Sequence, residues 1–297
     1  MSTIGIIGMG GMGHRVAAVL KEGGHRVLTC LAGRSDLSKA RAAEAGVTDV
    51  DGLEVLVDQS EIVLSIMPPE DALSVGKDVS AAFKTAGSSA YYVDCNAISP
   101  QTSRDIEASI EASGGRYIDG GIIGMPPQNG QRIRLFVSGA DLDVLAPLDG
   151  CGLDLKPIGP TIGQASGLKM CYAALTKGQM TLHAAILMLA HSLDLFAPLS
   201  AELELSQNDA WQRMQLTTPF IAPDSGRWVG EMNEIANTFR AAHLPAGFHE
   251  AAAQVFDAAA ATPLAAATRE TADFSTPLAD VVALYANACQ TNLKQSH

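Results

Sequence analysis

Three glycines near the start of the chain, Gly8, Gly10 and Gly13, stand in the spacing Gly-x-Gly-x-x-Gly within Gly8-Met9-Gly10-Gly11-Met12-Gly13. They follow a β-type run, Ile4 to Ile7, and open a helical pattern, Gly13 to Leu20. A dinucleotide-binding turn requires that context. The first glycine permits a tight turn, the second lets backbone approach a pyrophosphate, and the third packs helix on strand. Free N–H groups at the helix start, with the helix dipole, then hold the anion. The alternative is a glycine-rich turn that holds nothing.

Dinucleotide sites that take NAD place an acid about 20 residues on, against the ribose 2′-hydroxyl. No acid lies between Glu22 and Asp36. Arg34 and Ser35 stand there instead, after a second β-type run, Arg26 to Cys30. A guanidinium suits a 2′-phosphate that a carboxylate would repel. NADP (as NADPH) is therefore favoured over NAD; the alternative is that Arg34 is a solvated loop residue.

Hydride transfer to a carbonyl also needs a proton for the oxygen. Lys169, in Gly167-Leu168-Lys169-Met170-Cys171, is the candidate. A lysine desolvated among apolar neighbours has its pKa pushed towards neutrality and can exchange a proton. It could equally be a helix lysine with its stem on an apolar surface. His183 and His191 share a helical face, but no carboxylate pattern such as His-Glu-x-x-His accompanies them, so no metal is expected. His249 is a weaker candidate acid. No Gly-x-Ser-x-Gly elbow or P-loop occurs.

These residues need a scaffold. Strand-like and helical patterns alternate from Ile4 to Lys156, with strands at Val47–Val50, Glu61–Met67, Tyr91–Cys95, Tyr117–Asp119, Ile133–Val137 and Leu153–Lys156. Helical patterns cover Ser38–Ala45 and Glu70–Phe83, and Ser99-Pro100 opens another, with serine as cap and proline at the first position. Such alternation predicts a mainly parallel sheet with helices on both faces. From Gly163 to Phe196 the chain is rich in Ala, Leu and Met and reads as one long helix; the remainder reads as helices broken at Pro198, Pro219–Pro223, Pro245, Pro263 and Pro277. The expected architecture is α/β: an N-terminal Rossmann domain over 1–160, then an all-α substrate and dimerisation domain over 161–297.

The bulk numbers narrow the partners. The chain has 297 residues, 47% apolar and 18% charged, with a net charge of −12. An acidic chain repels nucleic acid and anionic membranes, so neither is expected and a small-molecule substrate is. Five widely spaced cysteines without a CxxC pair suggest reduced thiols in the cytoplasm. The N-terminus lacks a basic region and reads as no signal peptide, and no apolar stretch is long enough for a membrane span.

The motifs resemble the β-hydroxyacid dehydrogenase family, which includes the 3-hydroxyisobutyrate and 6-phosphogluconate dehydrogenases, over almost the whole chain. The resemblance rests on the glycine loop, on Met67-Pro68-Pro69, on Asp94-Cys95-Asn96-Ala97-Ile98-Ser99-Pro100, on Asp119-Gly120-Gly121-Ile122-Ile123-Gly124, and on Gly163-x-Ala165-x-x-x-Lys169. It implies that Met67 and Pro68 line the cofactor groove, that Asn96 lies beside the nicotinamide, and that Lys169 is the catalytic acid and base. It implies a substrate region at Gly121, Ile122, Ile123, Gly124, Tyr172 and Ala173, with Glu231 and Asn233 from the C-terminal part. That part resembles a poorly characterised phosphogluconate-dehydrogenase-like branch.

Two departures stand out: Ile123 replaces the family's substrate-binding serine, and Ala173 its asparagine. They imply a less polar pocket. An imine reductase, or a protein that binds NADPH without turnover, are the competing readings. The family also implies a homodimer with interleaved helical domains.

Overall fold

The computed structural model describes residues 1–126, 132–269 and 271–295. The chain divides into two compact units, Met1–Met170 and Cys171–His297.

The first unit runs β1 (Thr3–Ile7), α1 (Gly13–Glu22), β2 (Arg26–Thr29), α2 (Asp36–Glu44), β3 (Thr48–Asp49), α3 (Leu53–Gln59), β4 (Ile62–Ser65), α4 (Pro69–Ala86), β5 (Tyr91–Asp94), α5 (Pro100–Ala112), β6 (Arg116–Ile123), β7 (Ile133–Ser138), a 3-10 segment (Leu142–Leu148) and β8 (Leu153–Gly159). The eight strands form one sheet in the order β3-β2-β1-β4-β5-β6-β7-β8. All neighbours pair in parallel except β6 and β7, which are antiparallel. This is the mainly parallel Rossmann sheet that strand–helix alternation predicts.

The strands are apolar on both sides because helices cover both faces. Ile4, Ile6, Leu64 and Val93 pack with Val16 and Leu20 of α1 on one face. Val63 and Tyr92 pack with Val79, Phe83 and Ile106 of α4 and α5 on the other. Ser99 caps α5 as expected, accepting the Thr102 N–H, with Pro100 at the first position. The short α3 is an element that the sequence reading leaves unassigned, and β6 is longer than its predicted core, continuing through Gly120 and Gly121 to Ile123.

A 29-residue helix, α6 (Gln164–Ser192), follows. Its first residues belong to the first unit, so the structural division falls after Met170 rather than at the expected Pro160. The physical reason is that this first turn is hydrogen-bonded to β6, as described below.

The second unit continues with α7 (Phe196–Ser206), α8 (Asn208–Thr217), α9 (Ala222–Ala241), α10 (Gly247–Ala260) and α11 (Leu278–Gln295). The predicted helix break at Pro198 is corrected. The chain turns at Asp194, in a left-handed conformation with φ of 55°, and Pro198 lies within the first turn of α7. Proline's missing N–H costs nothing in a first turn, so prolines here begin helices rather than end them; Pro223 does the same in α9.

Candidate active site

The sheet's order reverses between β1 and β4, and the carboxyl ends of β1, β4, β5 and β6 lie along one edge. Ligands of open α/β sheets bind in the crevice at such a point. Gly8 turns the chain at the end of β1 with φ of +99°. A Cβ there would collide with the Ile66 carbonyl beyond β4, and one on Gly13 with the Gly8 carbonyl. Only glycine lets these backbones touch.

Gly10 and Gly11, by contrast, border open space. The start of α1, at Met12, has no side-chain cap. An open backbone cradle beneath uncapped amides fits the pyrophosphate of a dinucleotide. Met9 is buried and Met12 packs on the core, so both anchor the loop from below. His14 adds a brace that sequence spacing does not announce: its Nδ1 lies 2.8 Å from the Gly10 carbonyl oxygen.

Beyond β2, Arg34 is half-buried and its N–H donates to the Leu31 carbonyl at 3.0 Å. Ser35 caps α2 by accepting the Ser38 N–H. One acid does reach this end. Asp49 of β3, paired beside Thr29, accepts the Leu31 N–H at 2.9 Å. A linear scan for an acid just past β2 misses it because it arrives from the neighbouring strand.

Asn96, after β5, ties two strand ends together. Its Oδ1 accepts the Met67 N–H at 2.6 Å and its Nδ2 donates to Ser65 Oγ at 3.1 Å. Met67 and exposed Pro68 are thereby fixed at the end of β4. Asp94, the last residue of β5, is fully buried and accepts the Asn96 N–H at 2.9 Å. Burial, with the Asp119 carboxylate nearby, pushes its pKa up to about 7 against the hydrogen bonds from Asn96.

Lys169 projects from the second turn of α6, and its Nζ donates to the Ile122 carbonyl at 2.8 Å. It therefore stands at the carboxyl end of β6, on the same sheet edge as the glycine loop. Gly121 makes the approach possible, since a Cβ there would lie 2.9 Å from the Ala165 carbonyl oxygen and 3.1 Å from Lys169 Cβ. Ile122 and Ile123 are both buried, and Gly124 leaves the strand with φ of +137°.

A model described as the NAD binding domain of 6-phosphogluconate dehydrogenase matches residues 3–144, and one for a domain of unknown function matches residues 190–259. A protein of Methanothermus fervidus, known as an uncharacterized 28.5 kDa protein in the 7S RNA 5′ region, is 31% identical over 68% of this chain and 76% of its own length. A solved conserved protein, described by its structural similarity with 3-hydroxyacid dehydrogenases, is 29% identical, with a TM-score of 0.64 over 86% of this chain and 96% of that one. The chain belongs to the β-hydroxyacid dehydrogenase family. The mitochondrial 3-hydroxyisobutyrate dehydrogenase of Drosophila melanogaster is 26% identical over 57% of this chain and 52% of its own. An imine reductase from Myxococcus stipitatus, solved in complex with NADP+, shares the fold at 19% identity, with a TM-score of 0.53 over 86% and 93% of the two chains.

As a member of this family the chain is an NAD(P)-dependent oxidoreductase. Its second unit carries the remaining residues that the family resemblance singles out. Tyr172 is exposed and Ala173 buried on α6. Glu231 of α9 is buried and paired with Lys177 of α6, whose Nζ lies 2.9 Å from its Oε1 and 5.5 Å from the Trp228 ring. Lys177 escaped the sequence reading because its partner lies on another helix. Asn233 is exposed. His183 and His249 are held below the usual imidazole pKa by burial, and the Nδ1 of each is buried without a protein partner. Among the described residues no group of His, Cys, Asp and Glu is arranged to hold a metal, and no helix is long and apolar enough to cross a membrane.

Proposed function

We propose that this β-hydroxyacid dehydrogenase is an NADP-dependent enzyme acting on a carbonyl/alcohol pair, with Lys169 as its general acid and base. One observation carries the reading: Lys169 Nζ is held against the Ile122 carbonyl at the strand edge where the glycine loop opens. A nicotinamide bound in that crevice supplies the hydride chemistry. The glycine loop and the start of α1 would hold the pyrophosphate of the dinucleotide, and Arg34, Ser35 and the start of α2 would receive a 2′-phosphate. Lys169 Nζ gives a proton to the substrate oxygen in reduction and takes one in oxidation. Cytoplasmic placement and a small-molecule substrate, without nucleic acid or membrane, complete the reading.

Ile123 and Ala173 supply no polar group where the family resemblance puts serine and asparagine. That favours an apolar carbonyl compound over a short 3-hydroxy acid, and it keeps imine reduction as the second reading. The deciding experiment titrates NADPH and NADH by fluorescence, then follows NADPH oxidation with ketones, hydroxyacid-derived carbonyls and cyclic imines. The expected outcome is tighter NADPH binding and turnover of a carbonyl. Lys169→Met should cut that turnover by about 100-fold or more with NADPH affinity unchanged. Retained turnover in this variant removes the lysine from the mechanism, and turnover confined to imines selects the second reading.

A further inference from the structure

The carboxylate of Asp119 is buried midway along β6 and faces the start of α6. Its Oδ2 accepts the N–H of Gly163 at 2.9 Å, of Ala165 at 2.9 Å and of Ser166 at 3.1 Å. Ser138 Oγ donates to the same oxygen at 2.8 Å, and Ser103 Oγ donates to Oδ1 at 3.0 Å. The Ser166 hydroxyl also donates to Oδ1.

A helix N-terminus needs acceptors for its first amides, and the preceding residue usually supplies one from its side chain. Here that residue is Gly163, with φ of +97° and no side chain to offer. Asp119 supplies the cap from the neighbouring strand instead, and its charge suits the helix dipole. The same strand then touches the helix twice more: at Gly121, where backbone meets Ala165 and the Lys169 stem, and at Ile122, whose carbonyl takes the Lys169 ammonium.

We infer that Asp119 is the positioning residue for Lys169: it pins the first turn of α6 to β6, so that the lysine one turn later meets the strand end in a fixed place. A capped first turn has no freedom to slide or fray, and Lys169 Nζ inherits that registry. The catalytic part of this inference rests on the proposed role of Lys169; the positioning itself does not.

The test reads the lysine directly. The full chain is treated with trinitrobenzenesulfonate, and modification of each lysine is timed by peptide mass spectrometry. In Asp119→Asn, one acceptor oxygen becomes an N–H donor facing donors. Lys169 labelling should then rise about fivefold or more, the scale of a lost helix cap. Lys21, which also donates to a backbone carbonyl in this unit, should label at its original rate, and NADPH affinity should not change. Ser166→Ala, which removes one hydrogen bond between Asp119 and the first turn of α6, should raise Lys169 labelling in the same direction, and serves if Asp119→Asn does not fold. If Lys169 labelling stays constant in the folded variants while only the melting temperature falls, Asp119 is a structural residue and the inference is overturned. If labelling rises yet Lys169→Met retains turnover, the positioning stands and the catalytic reading falls.

Discussion

At the scale of single residues, Asp94 makes a prediction independent of any substrate. Its pKa lies at about 7 in the folded chain, against an ordinary carboxylate value of 3.8, chiefly because burial penalises the charge. The Asp119 carboxylate adds to the rise and the hydrogen bonds from Asn96 offset only part of it; the buried Tyr92, Tyr117 and Cys95 side chains nearby have their own pKa values raised by burial and by Asp94. The folded state thus holds a proton that the unfolded chain has already lost. That contribution is fully present below pH 4 and is lost as pH rises towards and through 7. Each pH unit of the window corresponds to about 1.4 kcal/mol. Asp94→Asn keeps an oxygen for the Asn96 N–H but removes the ionisation. Relative to wild type it should gain on the order of 4 kcal/mol between pH 4 and 8, read from urea unfolding at both pH values. A stability difference that does not change with pH would contradict this account.

At the scale of elements, the glycine loop separates two roles that its spacing alone merges. Gly13 packs backbone on backbone, so Gly13→Ala should destabilise the first unit and abolish cofactor binding together. Gly10 borders open space, so Gly10→Ala should leave the melting temperature within about 2 °C while weakening NADPH binding about tenfold or more. Equal affinity for Gly10→Ala and wild type in calorimetry would mean that no ligand backbone approach occurs there. The loop was legible in the sequence because its spacing is local and its strand and helix adjoin it. Lys169 was legible as a candidate, but its contact with Ile122 was not, since strand and helix are joined only through the fold. The Asp119 cap was hidden for the same reason: its donors come from α5, β7 and the start of α6. Asp49 and Lys177 likewise act on neighbours distant in sequence. Helix limits failed where a first-turn proline resembles a breaker, as at Pro198.

At the scale of the whole molecule, one surface of the second unit asks for a partner. Leu175, Leu182 and Leu189 recur every seventh residue along α6 and are exposed, at 60%, 46% and 60% of their surface. Tyr172 and Leu193, also exposed, continue the alternating three-and-four spacing. Single exposed leucines are ordinary on a protein surface. Leucines aligned in a heptad seam are the pattern by which one helix packs against another. The proposed partner is a second copy of this chain, in keeping with the homodimer that the family resemblance implies, because a two-fold pairing matches such a self-complementary stripe without a second sequence. Covering the exposed half of each leucine contributes on the order of 1 kcal/mol, so three on each of two chains favour association. Light scattering at micromolar concentration should give the mass of two chains. The combined Leu175→Glu, Leu182→Glu and Leu189→Glu variant places like charges on both sides of the seam, and should run as a folded monomer with unchanged NADPH affinity. Because the substituted positions are about half exposed, the folded unit loses little packing, and circular dichroism should match wild type. A wild-type monomer, or a triple variant that remains dimeric, would show that this face meets no second copy.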